Sequence, residues 1–458
     1  MVVPALVVAA PSSGSGKTTV ATGLMGALRR AGHRVAGFKV GPDFIDPGYH
    51  ALATGRPGRN LDAVLVGERL IGPLYAHGSR GADIAVVEGV MGLFDGRIGE
   101  SAGGPAAGST AQVAALLGAP VVLVVDARGQ SHSLAALLHG FATFDPTVRP
   151  AGVILNQVGS PRHEQVLRQA CEQAGTPVFG AIPRDAALAV PSRHLGLVTA
   201  AEHGRHARAA VDAMADLVAH HVDLAALVRA AAGGVGAEPW DPARAIGAGD
   251  PPAGGPVVAL AAGRAFTFGY PEHAELLRAA GATVAEFDPL CDPLPAGTAA
   301  LVLPGGFPEQ FAAELSANAA VRAQIRDLAA AGAPVHAECA GLLYLLDDLD
   351  GHPMCGVLRG SARFTERLTL GYRDAVAVAD SVPHRAGERV VGHEFHRTTA
   401  EFAAPYPPAW MFAGRAAPAR DGAVHRGVHA GYLHTHPAAH PHAVARFVAA
   451  ARGSRLAR

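Results

Sequence analysis

The chain has 458 residues, a formal net charge of −1, and 17% charged residues. Its length suits two globular domains of ordinary size. Because the charge is nearly balanced and no basic block occurs, nucleic acid and anionic membranes are excluded as partners on electrostatic grounds, and we expect small-molecule partners.

The cysteines and the N-terminal segment point to the cytoplasm. The four cysteines are scattered, without the paired spacing of a zinc site, which favours free thiols in a reducing compartment. The apolar start lacks a basic segment, and no run of ~18 apolar residues occurs. We therefore expect a cytoplasmic protein, and the sequence leaves open whether it forms a homodimer.

A glycine-rich loop follows the first predicted strand, Val2 to Ala10, and precedes a predicted helix, Val20 to Arg30. This is the context of a P-loop, whose backbone N–H groups bind phosphate, although Pro11 replaces the first glycine of the strict pattern. The residues expected to bind ATP here are Ser13, Gly14, Ser15, Gly16, Lys17, Thr18 and Thr19.

Only two lysines occur, Lys17 and Lys39, whereas arginine supplies the other 36 basic residues. An ammonium is compact and sits on a flexible stem, so it fits a phosphate loop where a planar guanidinium does not. Lys39 ends a second predicted strand that begins at Arg34. We expect both lysines to contact the phosphates of ATP.

Acidic residues follow the next predicted strands. Magnesium in nucleotide sites is usually held by one or two carboxylates and a P-loop hydroxyl. Thr18, Asp62 and Glu88 fit that set. Asp43 and Asp46 compete for the role, but they flank a proline-containing turn, which suits a substrate-facing loop better.

Short apolar, β-branched runs alternate with helix-like segments through both halves of the chain, which is typical of buried parallel sheets in an α/β fold. Glycine, proline and alanine crowd together between the halves. We predict a P-loop ATP-binding domain at 1–230, a linker at 231–255 and a second α/β domain at 256–458.

The second half contains a candidate nucleophile. Cys339 lies at a predicted strand-to-helix turn among small residues, as in a nucleophile elbow. The start of the helix should favour the thiolate, and the N–H groups of Ala340 and of Gly306, in a separate glycine loop, are candidates for an oxyanion hole. His434 or His436 would supply the base of a Cys–His pair.

Several segments together resemble a known family, the cobyrinic and hydrogenobyrinic acid a,c-diamide synthases of cobalamin biosynthesis. Members combine a dethiobiotin-synthetase-like ATP domain with a flavodoxin-like class I glutamine amidotransferase domain. The resemblance covers nearly the whole chain, and its most specific segments are Gly41–Pro47, Asn60–Asp62, Val87–Gly96, Pro191–Leu197, Ala337–Leu342 and Gly392–His396.

The resemblance implies an ATP-dependent carbon–nitrogen ligase that uses Mg²⁺ and takes L-glutamine and a corrinoid polycarboxylate as substrates. It implies that Asn156 faces adenine and that His434, rather than His436, is the base. It also directs four residues toward the corrinoid or the reacting carboxylate: Asp43, Asp46, Arg193 and His194.

The sequence departs from the family pattern at the amidotransferase triad. The family places a glutamate two residues after the histidine, but His436 stands there. The third triad member is therefore absent or non-standard. Three other functions stay open: amidation of other corrinoid side chains, as in cobyric acid synthase, amidation of a sirohydrochlorin-type tetrapyrrole, and a partition-type ATPase switch that would leave Cys339 unused.

Overall fold

The computed structural model describes residues 2–99, 105–184, 199–233, 236–247, 254–414 and 417–456. The chain divides into two compact units, Met1–Trp240 and Asp241–Arg458. Each unit is an α/β structure, as the alternating pattern predicts.

The first unit contains seven strands and ten helices in its described residues. The strands are β1 (Ala5–Ala9), β2 (Val35–Val40), β3 (Arg59–Leu61), β4 (Ile84–Glu88), β5 (Pro120–Asp126), β6 (Arg149–Val158) and β7 (Val178–Pro183). The helices are α1 (Lys17–Arg30), α2 (Asp46–Thr54), α3 (Ala63–Val66), α4 (Glu68–Gly78), α5 (Thr110–Leu117), α6 (Leu134–Thr143), α7 (Pro161–Gln173), α8 (Ala200–His203), α9 (Arg205–His221) and α10 (Leu224–Ala230).

These seven strands form one parallel sheet in the order β3-β2-β4-β1-β5-β6-β7. Strands β1, β2 and β4 are buried along their whole length, which explains their continuous apolar runs. Because the strands are parallel, the segments that follow them meet at one edge of the sheet, and the P-loop and Lys39 lie there together with Glu88.

The second unit contains thirteen strands and six helices in its described residues. The strands are β8 (Val257–Ala261), β9 (Thr283–Phe287), β10 (Thr298–Leu303), β11 (Val335–Glu338), β12 (Asp348–Leu349), β13 (His352–Pro353), β14 (Gly360–Ala377), β15 (Arg389–Phe402), β16 (Trp410–Phe412), β17 (Ala419–Asp421), β18 (Ala423–His425), β19 (Val428–Gly431) and β20 (His434–Thr435). The helices are α11 (Pro242–Ala245), α12 (Pro271–Ala279), α13 (Ala312–Ala317), α14 (Ala319–Ala330), α15 (Ala340–Leu345) and α16 (Pro441–Leu456), with 3₁₀ turns at Pro308–Phe311 and Pro437–Ala439.

The main sheet of this unit has the order β18-β19-β11-β10-β8-β9. All neighbours are parallel except the edge pair β18 and β19. Counted along the chain, the five parallel strands run 2-1-3-4-5, which is the flavodoxin-like order. The predicted fold class is therefore confirmed.

A further, mainly antiparallel sheet was not predicted from the sequence. Strands β14 and β15 form a long hairpin, which β12, β13, β16, β17 and β20 extend. The short strand β20 pairs His434 with His393 of β15. The sheet therefore fixes the backbone of the candidate catalytic histidine.

Part of the predicted linker packs against the first unit. The backbone of Ala232 pairs with that of Ala5, and the N–H of Trp240 donates to the carbonyl of Pro73 at 2.9 Å. The predicted boundaries at 230 and 256 stay predictions.

All four cysteines are free thiols. In the parts of the chain that the structure describes, no helix is long and apolar enough to cross a membrane.

Candidate active site

The P-loop joins β1 to α1 and adopts left-handed backbone conformations at two glycines. Gly14 has φ 79° and Gly16 has φ 92°. A Cβ atom on Gly16 would lie 2.3 Å from Nδ2 of Asn156, and this amide donates to the carbonyl of Ser15 at 3.0 Å. Asn156 therefore braces the loop from β6. The loop leads directly into the N-terminus of α1, and phosphate binding by its N–H groups stays a prediction.

Lys17 is buried at the P-loop. Its Nζ donates to the carbonyl of Met91 and, at 3.3 Å, to the carbonyl of Ser12. Burial, together with the positive charge of Lys39, lowers the pKa of Lys17 to about 8. Lys17 is still mainly an ammonium at neutral pH. The two lysines lie close enough to repel each other, which suits a site that takes a polyanion.

Lys39 lies between two carboxylates at the end of β2. Its Nζ is 2.8 Å from Oε1 of Glu88 and 2.6 Å from Oδ2 of Asp46. Burial acts to lower the pKa of Lys39, but the charges of Asp46 and Glu88 outweigh it and raise that pKa. Lys39 is therefore a permanent cation.

Glu88 is fully buried and is the centre of the cluster. Its Oε1 accepts a hydrogen bond from the Thr18 hydroxyl at 2.6 Å, and its Oε2 lies 2.7 Å from Nε2 of His50. Burial opposes ionisation, but Lys39 and His50 together lower the pKa of Glu88 below its ordinary value. Glu88 is therefore a carboxylate with one oxygen directed at the P-loop hydroxyl.

Asp46 also reaches this cluster. Its Oδ2 lies 3.4 Å from Oγ1 of Thr18. Burial and the negative charges of Asp43 and Glu88 raise the pKa of Asp46. Asp46 and Glu88 thus both lie next to the P-loop hydroxyl of Thr18, which is the arrangement of oxygen atoms that a magnesium ion in a nucleotide site uses.

Asp62, which the sequence places in the magnesium set, caps α3. Its Oδ1 accepts the N–H groups of Val64 and Leu65 at 2.9 and 3.0 Å. The role of Asp62 as a magnesium ligand stays a prediction.

The loop after β2 is held by side chains of its own and of β3. Oδ1 of Asp43 accepts the N–H groups of Ile45 and Asp46, both at 2.8 Å. Nδ2 of Asn60 donates to the carbonyls of Gly41 and Asp43 at 2.8 and 2.7 Å. These hydrogen bonds fix the position of Asp46, which is the first residue of α2.

The second candidate site is built around Cys339. The residue joins β11 to α15 with φ 48° and ψ −102°, a conformation that a residue with a Cβ adopts only under strain. A Cβ on Gly341 would lie 2.2 Å from the carbonyl oxygen of Leu303. Glycine there lets the helix pack closely against β10. The structure therefore shows the strand, turn and helix of the predicted elbow.

The thiol of Cys339 does not have the low pKa that a helix N-terminus suggests. Burial raises the pKa of Cys339 well above its ordinary value, the charge of Glu309 adds to this, and hydrogen bonds from the N–H groups of Gly306 and Ala340 oppose it. Those two N–H groups therefore act on the sulfur, and their role as an oxyanion hole stays a prediction. The free enzyme therefore holds a thiol that needs a base.

His434 lies on β20, buried against the glycine loop. A Cβ on Gly305 would lie 2.2 Å from Cε1 and 3.2 Å from Nε2 of this imidazole. The next residue of the same loop, Gly306, acts on the Cys339 sulfur through its N–H, so the glycine loop contacts both the imidazole and the thiol. Burial lowers the pKa of His434 to about 4, against the opposing charge of Glu338. His434 is thus a neutral base at pH 7.

His436, the alternative base, caps a turn. Its Nδ1 accepts the N–H of Ala438 at 3.3 Å at the start of the 3₁₀ turn Pro437–Ala439. Its ring lies 4.2 Å from that of Tyr270. These contacts give His436 a structural task and favour His434 as the base.

Comparison with known proteins identifies a domain in each half of the chain. Residues 6–198 match the CobQ/CobB/MinD/ParA nucleotide binding domain, and residues 257–442 match the CobB/CobQ-like glutamine amidotransferase domain. Hydrogenobyrinate a,c-diamide synthase of Mycobacterium tuberculosis is 73% identical over 451 residues, which cover 98% of each chain.

The protein of the same name from Streptomyces coelicolor is 57% identical, covering 99% of this chain and 98% of its own length. Cobyrinate a,c-diamide synthase of Syntrophotalea carbinolica is 43% identical over 98% and 99% of the two chains. This chain belongs to the a,c-diamide synthase family.

Membership in the a,c-diamide synthase family confirms the predicted enzyme class, an ATP-dependent carbon–nitrogen ligase of cobalamin biosynthesis that carries a glutamine amidotransferase domain. The predicted substrate residues Arg193 and His194 lie outside the described residues. Asp43 and Asp46 are described, and Asp46 lies with Thr18 and Glu88, although the sequence assigns it to the substrate.

Three residues of the diamide synthase sites received no role from the sequence. His50 contacts Glu88, Asn60 holds the loop after β2, and Glu338 contacts His434. Asn60 lies inside a segment that carries the family resemblance, so its position was a usable signal, whereas His50 lies three residues after the Gly41–Pro47 segment. Glu338 directly precedes the nucleophile, and only the fold brings it to His434.

Proposed function

We propose that this chain amidates the a and c acetate side chains of hydrogenobyrinic acid, with ATP as the activating substrate and glutamine as the nitrogen donor. The observation that carries the proposal is the 73% identity, over nearly the whole length, to a protein named for this reaction. Relatives named for hydrogenobyrinate are 45–73% identical and those named for cobyrinate are 42–43% identical. The relatives at 53–73% identity, from Mycobacterium, Streptomyces and Thermobifida, are all named for hydrogenobyrinate, which supports a cobalt-free substrate.

The first unit would activate the carboxylate. A carboxylate oxygen of the substrate attacks the γ-phosphorus of ATP, so that an acyl phosphate forms and ADP leaves. Ammonia then adds to the acyl carbon, and inorganic phosphate departs to leave the amide. The ammonium groups of Lys17 and Lys39 would stabilise the charge on the transferred phosphoryl group.

The oxygen donors of the first unit fit a magnesium ion. Thr18 and Glu88 would hold it with Asp62, and Asp46 is a further carboxylate next to Thr18. Bound magnesium would neutralise the β- and γ-phosphate oxygens. Asn156 would face adenine, and Asp43, Asp46, Arg193 and His194 would face the corrinoid, as the family resemblance implies.

The second unit would release ammonia from glutamine. His434 takes the proton of Cys339 as the sulfur attacks the carboxamide carbon, and the N–H groups of Gly306 and Ala340 stabilise the oxyanion. His434 then passes the proton to the leaving ammonia, and a γ-glutamyl thioester remains. Water hydrolyses the thioester to glutamate and the free thiol.

Purified enzyme supplied with ATP, Mg²⁺ and glutamine tests the proposal when it is offered hydrogenobyrinic acid and cobyrinic acid in parallel. Mass spectrometry should show a gain of two amides on hydrogenobyrinic acid and slower conversion of cobyrinic acid. Faster conversion of cobyrinic acid would overturn the cobalt-free assignment. ATP hydrolysis without amidation of a corrinoid or a sirohydrochlorin-type tetrapyrrole would favour a switch ATPase.

A further inference from the structure

The family resemblance leaves the amidotransferase histidine without its usual glutamate partner, because His436 occupies that position in the sequence. In a Cys–His–carboxylate triad the carboxylate orients the imidazole and stabilises the imidazolium that forms during attack. Since the imidazole of His434 is buried, the loss of such a charge would be costly. Two acids, Glu338 and Glu394, act on this ring.

Glu338 reaches His434 from the residue directly before the nucleophile. Its Oε2 lies 3.9 Å from Nδ1 of His434. This separation is within ion-pair range and about 1 Å longer than a hydrogen bond. Contacts of this kind in a free enzyme commonly shorten when the substrate binds.

The other oxygen of Glu338 is anchored next to the histidine. Oε1 accepts the backbone N–H of Thr435 at 3.1 Å and its hydroxyl at 2.9 Å. The same oxygen lies 3.4 Å from Nε2 of His336. One carboxylate thus holds the backbone after His434 with one oxygen and faces the imidazole with the other.

The strand geometry explains why Glu338 faces this way. Side chains two residues apart on a strand share a face, so His336 and Glu338 of β11 point to the same side of the sheet. Cys339 follows at the elbow, where its positive φ turns the chain into α15. The nucleophile and the carboxylate therefore diverge, and the carboxylate reaches His434.

Glu338 carries a negative charge. Burial opposes ionisation, but the hydrogen bond and charge of His336 and the charges of His434 and His273 lower the pKa of Glu338 to about 2. The other acid that acts on His434 is Glu394, whose Oε2 is paired with Nε of Arg373 at 2.6 Å. Its charge is already neutralised, so Glu338 is the better partner.

We propose that Glu338 is the third member of the triad, a positioning residue that orients His434 through Nδ1 and stabilises its protonated form. With Nδ1 facing Glu338, Nε2 is the atom left to exchange a proton with Cys339. The proposal rests on the proposed glutaminase reaction. In this chain the triad carboxylate would thus stand one residue before the nucleophile, whereas the family pattern has it two residues after the histidine.

Glutamate release from glutamine, measured without any corrinoid, tests this role. Glu338→Gln keeps an oxygen that can accept the Thr435 bonds but removes the charge. We expect kcat for glutamine hydrolysis to fall ~10²–10⁴-fold with KM changed only a few-fold. Amidation driven by ammonium chloride should stay within about two-fold. Glu338→Asp, which keeps the charge, should recover part of kcat.

The pH profile separates orientation from a purely structural effect. Glu338 raises the pKa of His434, as Glu394 also does, while His396 lowers it. Removing Glu338 should therefore shift the acidic limb of kcat/KM for glutamine to lower pH. Glu388→Gln is the matched control, because Glu388 also contacts a histidine, His384, at 3.3 Å. It should leave both the rate and the profile unchanged.

A kcat within three-fold of the parent, or an unmoved acidic limb, would refute the role of Glu338. If Glu338→Gln does not fold, Thr435→Val replaces it: removing the hydroxyl anchor should lower kcat ~10-fold, and an unchanged kcat would also refute the role. Failure of the proposed function is distinguishable, because it would appear as missing corrinoid amidation in the parent enzyme while glutamine hydrolysis continued.

Discussion

Lys39 and Glu88 lie in register on neighbouring parallel strands, and the ammonium of Lys39 donates to Oε1 of Glu88 at 2.8 Å. The same carboxylate oxygen accepts the Thr18 hydroxyl. The pair therefore links the second strand to the first helical turn after the P-loop. A compact ammonium suits this position, because it must lie between two buried carboxylates, Asp46 and Glu88.

Replacing either lysine with arginine should lower amidation with ATP and glutamine by ~10²-fold or more. A guanidinium keeps the charge but is wider and has fixed donor directions, and both sites are almost fully buried. Glutamine hydrolysis by the same variants serves as the control. Turnover near that of the parent in either variant would show that an ammonium is not needed there.

Cys339→Ala should abolish amidation with glutamine and leave amidation with a high concentration of ammonium chloride largely intact. The reason is that the thiol and the P-loop belong to different compact units. Product formation with each nitrogen donor is the measurement. Equal loss with both donors would contradict this division of labour.

His434→Ala should slow glutamine hydrolysis ~10²–10⁴-fold through loss of the general base. His436→Ala should change the rate far less but lower the unfolding temperature, because the cap on Ala438 is removed. Glutamate release and thermal unfolding of both variants check this. A larger rate loss in His436→Ala would reverse the assignment.

Asp46→Asn should raise the Mg²⁺ concentration needed for half-maximal amidation at least as much as Asp62→Asn does. Oδ2 of Asp46 lies 3.4 Å from the Thr18 hydroxyl, whereas Oδ1 of Asp62 is used in capping α3. Titrating Mg²⁺ at saturating ATP is the measurement. If the Mg²⁺ requirement is normal in Asp46→Asn and raised in Asp62→Asn, the ligands are Thr18, Asp62 and Glu88, as the sequence predicts.

The second unit should lose stability in mild acid because it buries neutral histidines. Burial, with smaller contributions from neighbouring histidines, lowers the pKa of His273 to about 4 and that of His384 to about 2, and it lowers the pKa of His429 well below its ordinary value. The unfolded chain therefore binds more protons below pH 6.5, and stability falls as pH drops from there. Each histidine should cost about 1 kcal/mol between pH 6.5 and 5.5.

Urea unfolding at several pH values measures this loss, with Trp410 as the reporter, since its ring lies 4.7 Å from that of His384 and 4.9 Å from that of His429. A Trp240→Phe background leaves Trp410 as the sole tryptophan. His429→Gln should weaken the pH dependence. An unfolding midpoint that does not change between pH 7 and 5 would contradict the prediction.

The sequence by itself determined the fold class and the two chemistries. The P-loop and the cysteine elbow are local features, in which glycine or small residues at fixed spacings dictate a backbone turn between a strand and a helix. Buried parallel strands can be recognised in the sequence as short apolar runs. These signals depend on neighbours along the chain, so no tertiary information was needed to find them.

Only the tertiary structure decided which side chains meet. Strand order brings Asp46 to Thr18 and Glu88, and the pairing of β20 with β15 carries His434 to within 3.9 Å of Glu338. It also revealed that burial keeps Cys339 a thiol. Such contacts join residues that are far apart in the chain, and pKa values depend on the desolvation that packing imposes, so neither can be predicted from local spacing.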